Sequence, residues 1–321
     1  MKRFTKILLI ADMDQKDSVS LQRAVALARN NRASLTIVDF VEPIQVHSLK
    51  GRLADAAREL FELTVGDKNA RLGELRDSIA ESGLDVVARV LTGKPFIETI
   101  RLVLEARHDL VIKTIETPPS LKKVFFGSTD MHLMRKCPCP VWLVKPTDEH
   151  RYKRILAAVD YSPEADEKDA LNRQIIELST SLALAESSEL HVVHAWRLFA
   201  ENYVKSARAT IPEAEFNAAI ENETNERTEW LKRVVYEYAA ETGEKAIDCI
   251  NPHLHVINGA ADRVVASLAA ELSANLIVMG TIARVGVPGF FIGNTAESIL
   301  NQVECSVLTV KPPGYISPIA L

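Results

Sequence analysis

Residues 276–308 read LIVMGTIARVGVPGFFIGNTAESILNQVECSVL and contain an apolar run, a glycine-spotted loop, a helical pattern and a second apolar run. The first run stops at Gly280. Strands of a parallel sheet read as continuous apolar runs because helices cover both of its faces. Backbone amides that collect between the end of such a strand and a helix start commonly bind anions. The stretch therefore predicts a buried parallel strand with an anion-binding loop at its carboxyl end.

The same order of elements occurs twice along the chain. Residues 6–12, KILLIAD, are matched by residues 154–160, RILAAVD. Residues 125–129, FFGST, are likewise matched by residues 291–295, FIGNT. Matches that recur in the same order indicate an internal duplication.

Each half alternates apolar strand patterns with helical patterns, which favours a parallel sheet with right-handed crossovers. We expect two tandem doubly wound α/β domains, at residues 1–147 and 151–313, each with a five-stranded parallel sheet. At 321 residues the chain has the length of two ordinary domains.

Composition excludes several classes of protein. The chain is 47% hydrophobic and 25% charged, as in ordinary globular proteins. Its formal net charge of −5 argues against nucleic acid as the main partner. No apolar run reaches the length of a membrane span, and the run at residues 7–11 is too short for a signal peptide. The four cysteines lie in or beside apolar runs, which indicates core residues of a reducing compartment. We therefore expect a cytoplasmic protein.

Five segments spread over both halves make the chain similar to the universal stress protein family in its tandem-domain form. They are residues 139–145, CPVWLVK, 154–160, RILAAVD, 278–281, VMGT, 293–297, GNTAE, and 305–311, CSVLTVK. The resemblance implies a Rossmann-like fold of the adenine nucleotide alpha hydrolase-like type, with strand order 3-2-1-4-5. It also implies that the two halves pair through their last strands as an intramolecular pseudo-dimer, and that the protein acts in stress resistance without a known turnover reaction.

Some family members bind ATP through the motif G-x2-G-x9-G-[S/T], and the second half keeps part of it. Gly280 and Gly293 match, whereas Ala283 replaces the second glycine and Asn294 replaces the Ser or Thr. A methyl group at position 283 obstructs close phosphate approach and costs about 1 kcal/mol where the loop needs a positive φ. Asn294 still offers an amide donor, and Thr295 adds a hydroxyl. The resemblance therefore implies a degraded rather than an erased nucleotide-type site.

Two further residues belong to this predicted site. Asp160 ends the first strand of the second half, where α/β sheets hold ligands and where the resemblance places the adenine. A helix-capping or loop-ordering role explains Asp160 equally well. Met279, the residue before the strand-ending glycine, is expected to give apolar support.

The first half keeps less of the motif. Gly127 and Ser128 survive, but Thr114 and Thr117 stand at the two leading glycine positions. Asp12 ends the first strand, where a loop-ordering role is favoured over ligand binding. Without the leading glycines the loop cannot wrap phosphates in the same way, so we interpret this half as non-nucleotide-binding, with Asp12, Gly127 and Ser128 as a weak secondary site.

Two features of the second half allow alternative interpretations. Cys249, His253 and His255 share strand parity and are residue types that bind zinc, but Pro252 interrupts the pattern and no fourth ligand is evident. We predict no metal. Residues 285–292, VGVPGFFI, are apolar and are expected to pack onto the protein, while an apolar wall beside a polar head site is the alternative.

Three functional hypotheses follow. The leading one is a non-catalytic, ligand-sensing stress-response protein that holds ATP or another anionic small molecule weakly in the second half. The second is an adenine-nucleotide hydrolase, although no His-x-Gly-His motif, Ser-Gly-Gly loop or Walker-type lysine loop occurs. The third is a protein-interaction scaffold with vestigial sites. The expected partner is a small molecule. The two halves of the chain are expected to pair with each other, and a further homodimer of whole chains is an open alternative.

Overall fold

The computed structural model describes residues 4–11, 18–43, 51–116, 126–147, 151–161, 167–197, 213–241, 249–281 and 293–321. These residues form two compact units. The first unit contains the described residues up to 147 together with Tyr315–Leu321, and the second contains those from 151 to 314.

The first unit alternates strands and helices along the chain. Its elements are β1 (Lys6–Ile10), α1 (Val19–Asn31), β2 (Ser34–Val41), α2 (Arg52–Ala80), β3 (Val86–Thr92), α3 (Pro95–Ala106), β4 (Leu110–Thr114), α4 (Ser128–Lys136) and β5 (Val141–Val144). The strand pairs are β3–β2, β2–β1, β1–β4 and β4–β5, and all are parallel. The strand order is therefore 3-2-1-4-5, as predicted.

The second unit repeats this arrangement. Its elements are β6 (Arg154–Val159), α5 (Glu167–Glu186), β7 (Glu189–Trp196), α6 (Glu213–Ala240), β8 (His253–Asn258), α7 (Ala261–Glu271), β9 (Leu276–Gly280), α8 (Asn294–Leu300) and β10 (Ser306–Val310). The parallel pairs β8–β7, β7–β6, β6–β9 and β9–β10 give the same order. Two tandem doubly wound α/β domains are thus confirmed.

The central strands are buried because helices cover both faces of each sheet. All five residues of β4 and the first four of β9 are buried. The helix starts follow local chemistry: the Ser18 hydroxyl accepts a hydrogen bond from the Leu21 amide at the start of α1. No helix in the described part of the chain is both long enough and apolar enough to cross a membrane.

The C-terminal segment belongs to the first unit although it follows the second repeat. The Tyr315 hydroxyl donates a hydrogen bond to the carbonyl of Arg135, the penultimate residue of α4, with an O–O distance of 2.9 Å. Burial raises the pKa of Tyr315. The hydroxyl therefore stays a donor at neutral pH and ties the chain terminus to the first unit.

The pseudo-dimer of the two halves stays a prediction. Each half ends in an apolar, β-branched strand, and an exposed edge of that kind invites aggregation unless it is paired. Cleavage at a protease site inserted near Thr147 should therefore leave the two fragments associated on gel filtration. A second protein, cleaved in the same way but truncated after residue 313, removes the contribution of the C-terminal segment. Separate monomers of both proteins at micromolar concentration would show that the predicted strand pairing is wrong.

Candidate functional site

Three residues of the second unit lie at the same edge of its sheet. Ala158 on β6 pairs with Met279 on β9, and Met279 pairs with Thr309 on β10. Asp160, Thr281 and Lys311 each follow one of these paired residues by two positions. Because parallel strands end at one edge, the three side-chain positions border the place where α/β folds bind ligands.

Asp160 is held by its main chain. Its N–H donates to the side-chain oxygen of Asn172 at 3.1 Å, and the Asn172 amide nitrogen donates to the Asp160 carbonyl at 2.7 Å. Asn172 is buried on α5, whereas Asp160 itself is exposed. The clamp fixes the end of β6 and leaves the carboxylate at the surface.

Gly280 has a packing role as well as its predicted ligand role. A Cβ at this position would lie 2.7 Å from the terminal Cδ2 of Leu171 on α5. A larger residue would therefore have to displace the Leu171 side chain. Met279 is buried within β9, and its role as apolar support for a ligand stays a prediction.

Thr281 joins the strand end to the next helix. Its carbonyl accepts the N–H of Gly293 at 3.0 Å, and its hydroxyl accepts a hydrogen bond from the Lys311 ammonium. The Gly293 amide is thus already used, although the sequence predicted that it would face an anion. The amides of Asn294 and Thr295 begin α8 and have no intrahelical partner, as at every helix start. Both side chains are exposed.

The remaining predicted residues divide into two groups. Asp12, Ala283, Thr117 and the apolar loop 285–292 lie outside the described residues. Gly127 and Ser128 lie at the start of α4 in the first unit, where Gly127 is the N-cap.

A buried ion network fills the corresponding place in the first unit. The Lys113 ammonium on β4 lies 2.9 Å from an oxygen of Asp130 on α4 and 2.8 Å from an oxygen of Glu116. Asp130 is fully buried, and its other oxygen accepts the Gly127 amide at 3.2 Å. A Cβ on Gly127 would lie 3.1 Å from Glu116. Two of the chain's own carboxylates therefore lie against Gly127 at the start of α4.

The network also sets the local electrostatics. Burial disfavours the Lys113 ammonium, but the charges of Asp130 and Glu116 outweigh burial and raise its pKa. Burial raises the pKa of Asp130, and the Lys113 charge opposes that shift. We conclude that Lys113 stays charged and that Asp130 depends on it as a counterion. An added anion would meet two carboxylates here.

The second unit carries no such network at the equivalent positions. Gly293 follows Gly127 by 166 positions, and at the same spacing Met279 replaces Lys113 and Ala296 replaces Asp130. No described side chain caps α8, whereas on α4 the Asp130 carboxylate accepts a hydrogen bond from the N–H of the N-cap residue Gly127. The two units therefore have the same backbone elements at this place but carry different charges there.

Sequence analysis missed an aromatic and cationic cluster at the ends of β6 and β7. The Arg227 guanidinium on α6 lies 4.7 Å from the ring centre of Tyr161 and 4.8 Å from that of Trp196. It also donates to Glu223, and the Tyr161 hydroxyl donates to Glu226 at 2.7 Å. Tyr161 directly follows Asp160, so a flat ligand group beside Asp160 would adjoin an arginine that already stacks on two rings.

The zinc alternative finds no support in the geometry. Strand β8 begins at His253, directly after Pro252, so Cys249 lies outside the strand. Within the described ranges, no group of three His, Cys, Asp or Glu side chains is arranged to hold a metal ion.

The comparisons with known proteins agree with the fold. The model of the universal stress protein family matches residues 3–145 and again 151–311. Universal stress protein E of Salmonella typhi is 29% identical over 327 residues, covering 100% of this chain and 98% of that protein.

Two solved structures have the same fold. A protein of unknown function from Pseudomonas aeruginosa PAO1 is 26% identical, with a TM-score of 0.65 and coverage of 97% of this chain and 94% of that one. A universal stress protein from Archaeoglobus fulgidus DSM 4304 has a TM-score of 0.60 at 16% identity, with coverage of 95% and 98%. The family model matches nearly the whole chain, and the chain therefore belongs to the universal stress protein family.

Proposed function

We propose that this chain is a non-catalytic stress-response protein of the cytoplasm that binds a small anionic molecule in its second unit. The molecule is nucleotide-like or amphipathic. The stress role follows from the family and from relatives that are named as stress proteins.

The observation that carries the proposal is the difference between the two units. In the first, the Lys113, Asp130 and Glu116 network places negative charge against the start of α4. In the second, uncharged Met279 and Ala296 stand at the equivalent positions. An anion is therefore repelled from the first site and not from the second.

Two positive features at the second site support an anion. The Lys311 ammonium is buried at the end of β10, where it donates to Thr281. The uncapped amides of Asn294 and Thr295 lie at the start of α8, which begins directly after the residue that bonds Thr281. Strand ends, a lysine and helix amides together favour negative charge.

The amphipathic character is inferred from sequence. Residues 285–292 are apolar, so a hydrocarbon portion beside the anion would gain about 0.8 kcal/mol for each buried methylene group. Ala283 disfavours an extended triphosphate without blocking a smaller anion. A few methylene groups would offset the lost phosphate contacts.

Native mass spectrometry of the protein purified from cells tests the proposal. We expect a bound anion at substantial occupancy, which Gly293→Val removes because a side chain at the N-cap obstructs approach to the α8 amides. The matched control is Gly127→Val, at the N-cap of α4 in the first unit, which should leave occupancy unchanged. Phe290→Ser should lower occupancy by removing apolar surface.

The outcomes separate the candidate functions. If Gly127→Val loses the ligand and Gly293→Val keeps it, the ligand binds in the first unit and our proposal is wrong. Complete absence of bound small molecules would favour the scaffold hypothesis. Steady ATP turnover that Asp160→Asn abolishes would favour the hydrolase.

A further inference from the structure

Three histidines gather on one face of strands β7 and β8 in the second unit. His191 pairs with His253 across the two strands, and His255 lies two residues further along β8 on the same face. The ring centre of His191 lies 4.8 Å from that of His253 and 5.3 Å from that of His255, and both pairs are stacked. His191 is 6% exposed, so the cluster reaches from the core to the edge of the sheet.

The rings are joined by a hydrogen bond that requires a specific protonation state. Nδ1 of His191 lies 3.1 Å from Nε2 of His255. Two nitrogens at this distance share one proton, with one ring donating and the other accepting. If both nitrogens carry protons, the contact becomes repulsive.

Charged side chains surround the cluster unevenly. A Glu189 oxygen on β7 lies 3.6 Å from His191 Nε2, and the same oxygen accepts from Arg154 on β6 at 3.2 Å. This hydrogen bond from Arg154 lowers the pKa of Glu189, so the carboxylate persists in mild acid. The negative charge of Glu271, the last residue of α7, raises the pKa of His255 and so opposes part of the effect of burial. Glu189 is already paired with the positively charged Arg154. Its single negative charge therefore neutralises only part of the positive charge that protonated histidine rings would carry.

We propose that the His191, His253 and His255 cluster is an acid-sensitive latch that holds β8 on β7 at neutral pH and loosens this edge strand when more than one ring is protonated. Strand β8 pairs only with β7 in the described sheet of this unit, so it opens without disturbing the central strands. Strand β8 lies on the opposite side of β7 from β6, β9 and β10, at whose ends the proposed ligand site lies.

The direction of the pH dependence follows from the lowered pKa values of His191 and His255. Burial lowers the pKa of His191, and the neighbouring rings of His253 and His255 lower it further. Burial also lowers the pKa of His255. The folded strand thus binds fewer protons than the open one, so its stability is complete above about pH 6.5, the pKa of an unperturbed histidine, and falls as the pH decreases through the lowered values.

The first unit contains a matched strand pair without histidine. Thr36 on β2 pairs with Val87 on β3, and Arg89 lies two residues further along β3, at the positions of His191, His253 and His255. Strand β3 therefore serves as a reference without stacked rings, although one buried histidine, His108, lies within hydrogen-bond distance of Thr36 on β2 at 2.9 Å.

Hydrogen–deuterium exchange of the full chain, measured by mass spectrometry at pH 7.5 and 5.0, tests the latch. After correction for intrinsic exchange rates, protection of β8 should fall about tenfold for each unit by which the folded pKa is depressed. Protection of β3 should fall less than that of β8, because a single histidine, His108, lies beside this strand pair and burial lowers its pKa. His255→Asn should remove most of the acid response of β8, and the exposed His253→Gln should reduce it. His132→Gln, on α4 of the first unit, is the control and should retain the full response.

Three results would overturn the latch. The first is β8 protection that changes by less than twofold between the two pH values. The second is an equal loss in β3 and β8. The third is one equivalent of Zn²⁺ bound at pH 7.5 that His255→Asn abolishes, which would assign the cluster to metal.

Discussion

Asp130→Ala is expected to destabilise the first unit by about 3 to 5 kcal/mol, the usual cost of removing one partner from a buried ion pair. Asp130 is fully buried and lies 2.9 Å from the Lys113 ammonium. Among the described residues, the substitution leaves that ammonium in the core with Glu116, whose side chain is 62% exposed, as its remaining counterion. It also removes the carboxylate that accepts the Gly127 amide at the start of α4.

The double variant Lys113→Met with Asp130→Ala separates charge from packing. These are the residues that the second unit carries at the equivalent positions, Met279 and Ala296. Because the unpaired charge is removed together with its partner, most of the lost stability should return. Urea denaturation at pH 7, followed by circular dichroism, measures both free energies of unfolding.

Glu116→Gln is the control for the network. An ion pair with a mostly exposed partner contributes little, so the expected loss is below about 1 kcal/mol. An Asp130→Ala variant within 1 kcal/mol of the natural protein would contradict the network's role, and so would a double variant no more stable than the single one.

The strands and the repeat could be predicted from the sequence. Continuous apolar runs predicted the central strands, because a sheet covered on both faces selects β-branched and aliphatic residues at every position. The repeat predicted two alike units, the family resemblance implied their strand order, and both predictions are confirmed. Apolar runs and repeats are local patterns, so they can be recognised without knowing any tertiary contact.

The pairing of charges was not readable in the same way. Lys113 interrupts an otherwise apolar strand, which signals that a buried partner exists. Asp130 lies 17 positions further along the chain, and only the packing of α4 on the sheet brings it to Lys113. Arg227 likewise meets Tyr161 and Trp196 through the fold of α6 over two strand ends. These contacts depend on three-dimensional placement rather than on spacing.

ATP binding offers the second large effect, and it addresses the degraded motif directly. The unmodified protein should bind ATP no more tightly than in roughly the high micromolar range, since two lost anion contacts cost a few kcal/mol. Ala283→Gly restores the second motif glycine, and Asn294→Ser restores the hydroxyl. Together they should tighten binding about tenfold to a hundredfold, at about 1.4 kcal/mol for each factor of ten.

The repaired variant is best compared with two others by isothermal titration calorimetry. Adding Gly293→Val to the repaired protein should abolish the gain, because the added side chain stands at the N-cap of α8, before the amides that would hold the phosphates. Adding Asp130→Ala instead should leave the gain unchanged, provided that the first unit stays folded at the measuring temperature, since that network lies in the other unit. Low-micromolar binding by the unmodified protein would refute the degraded motif. Unchanged affinity after repair would show that the loop does not hold the phosphates.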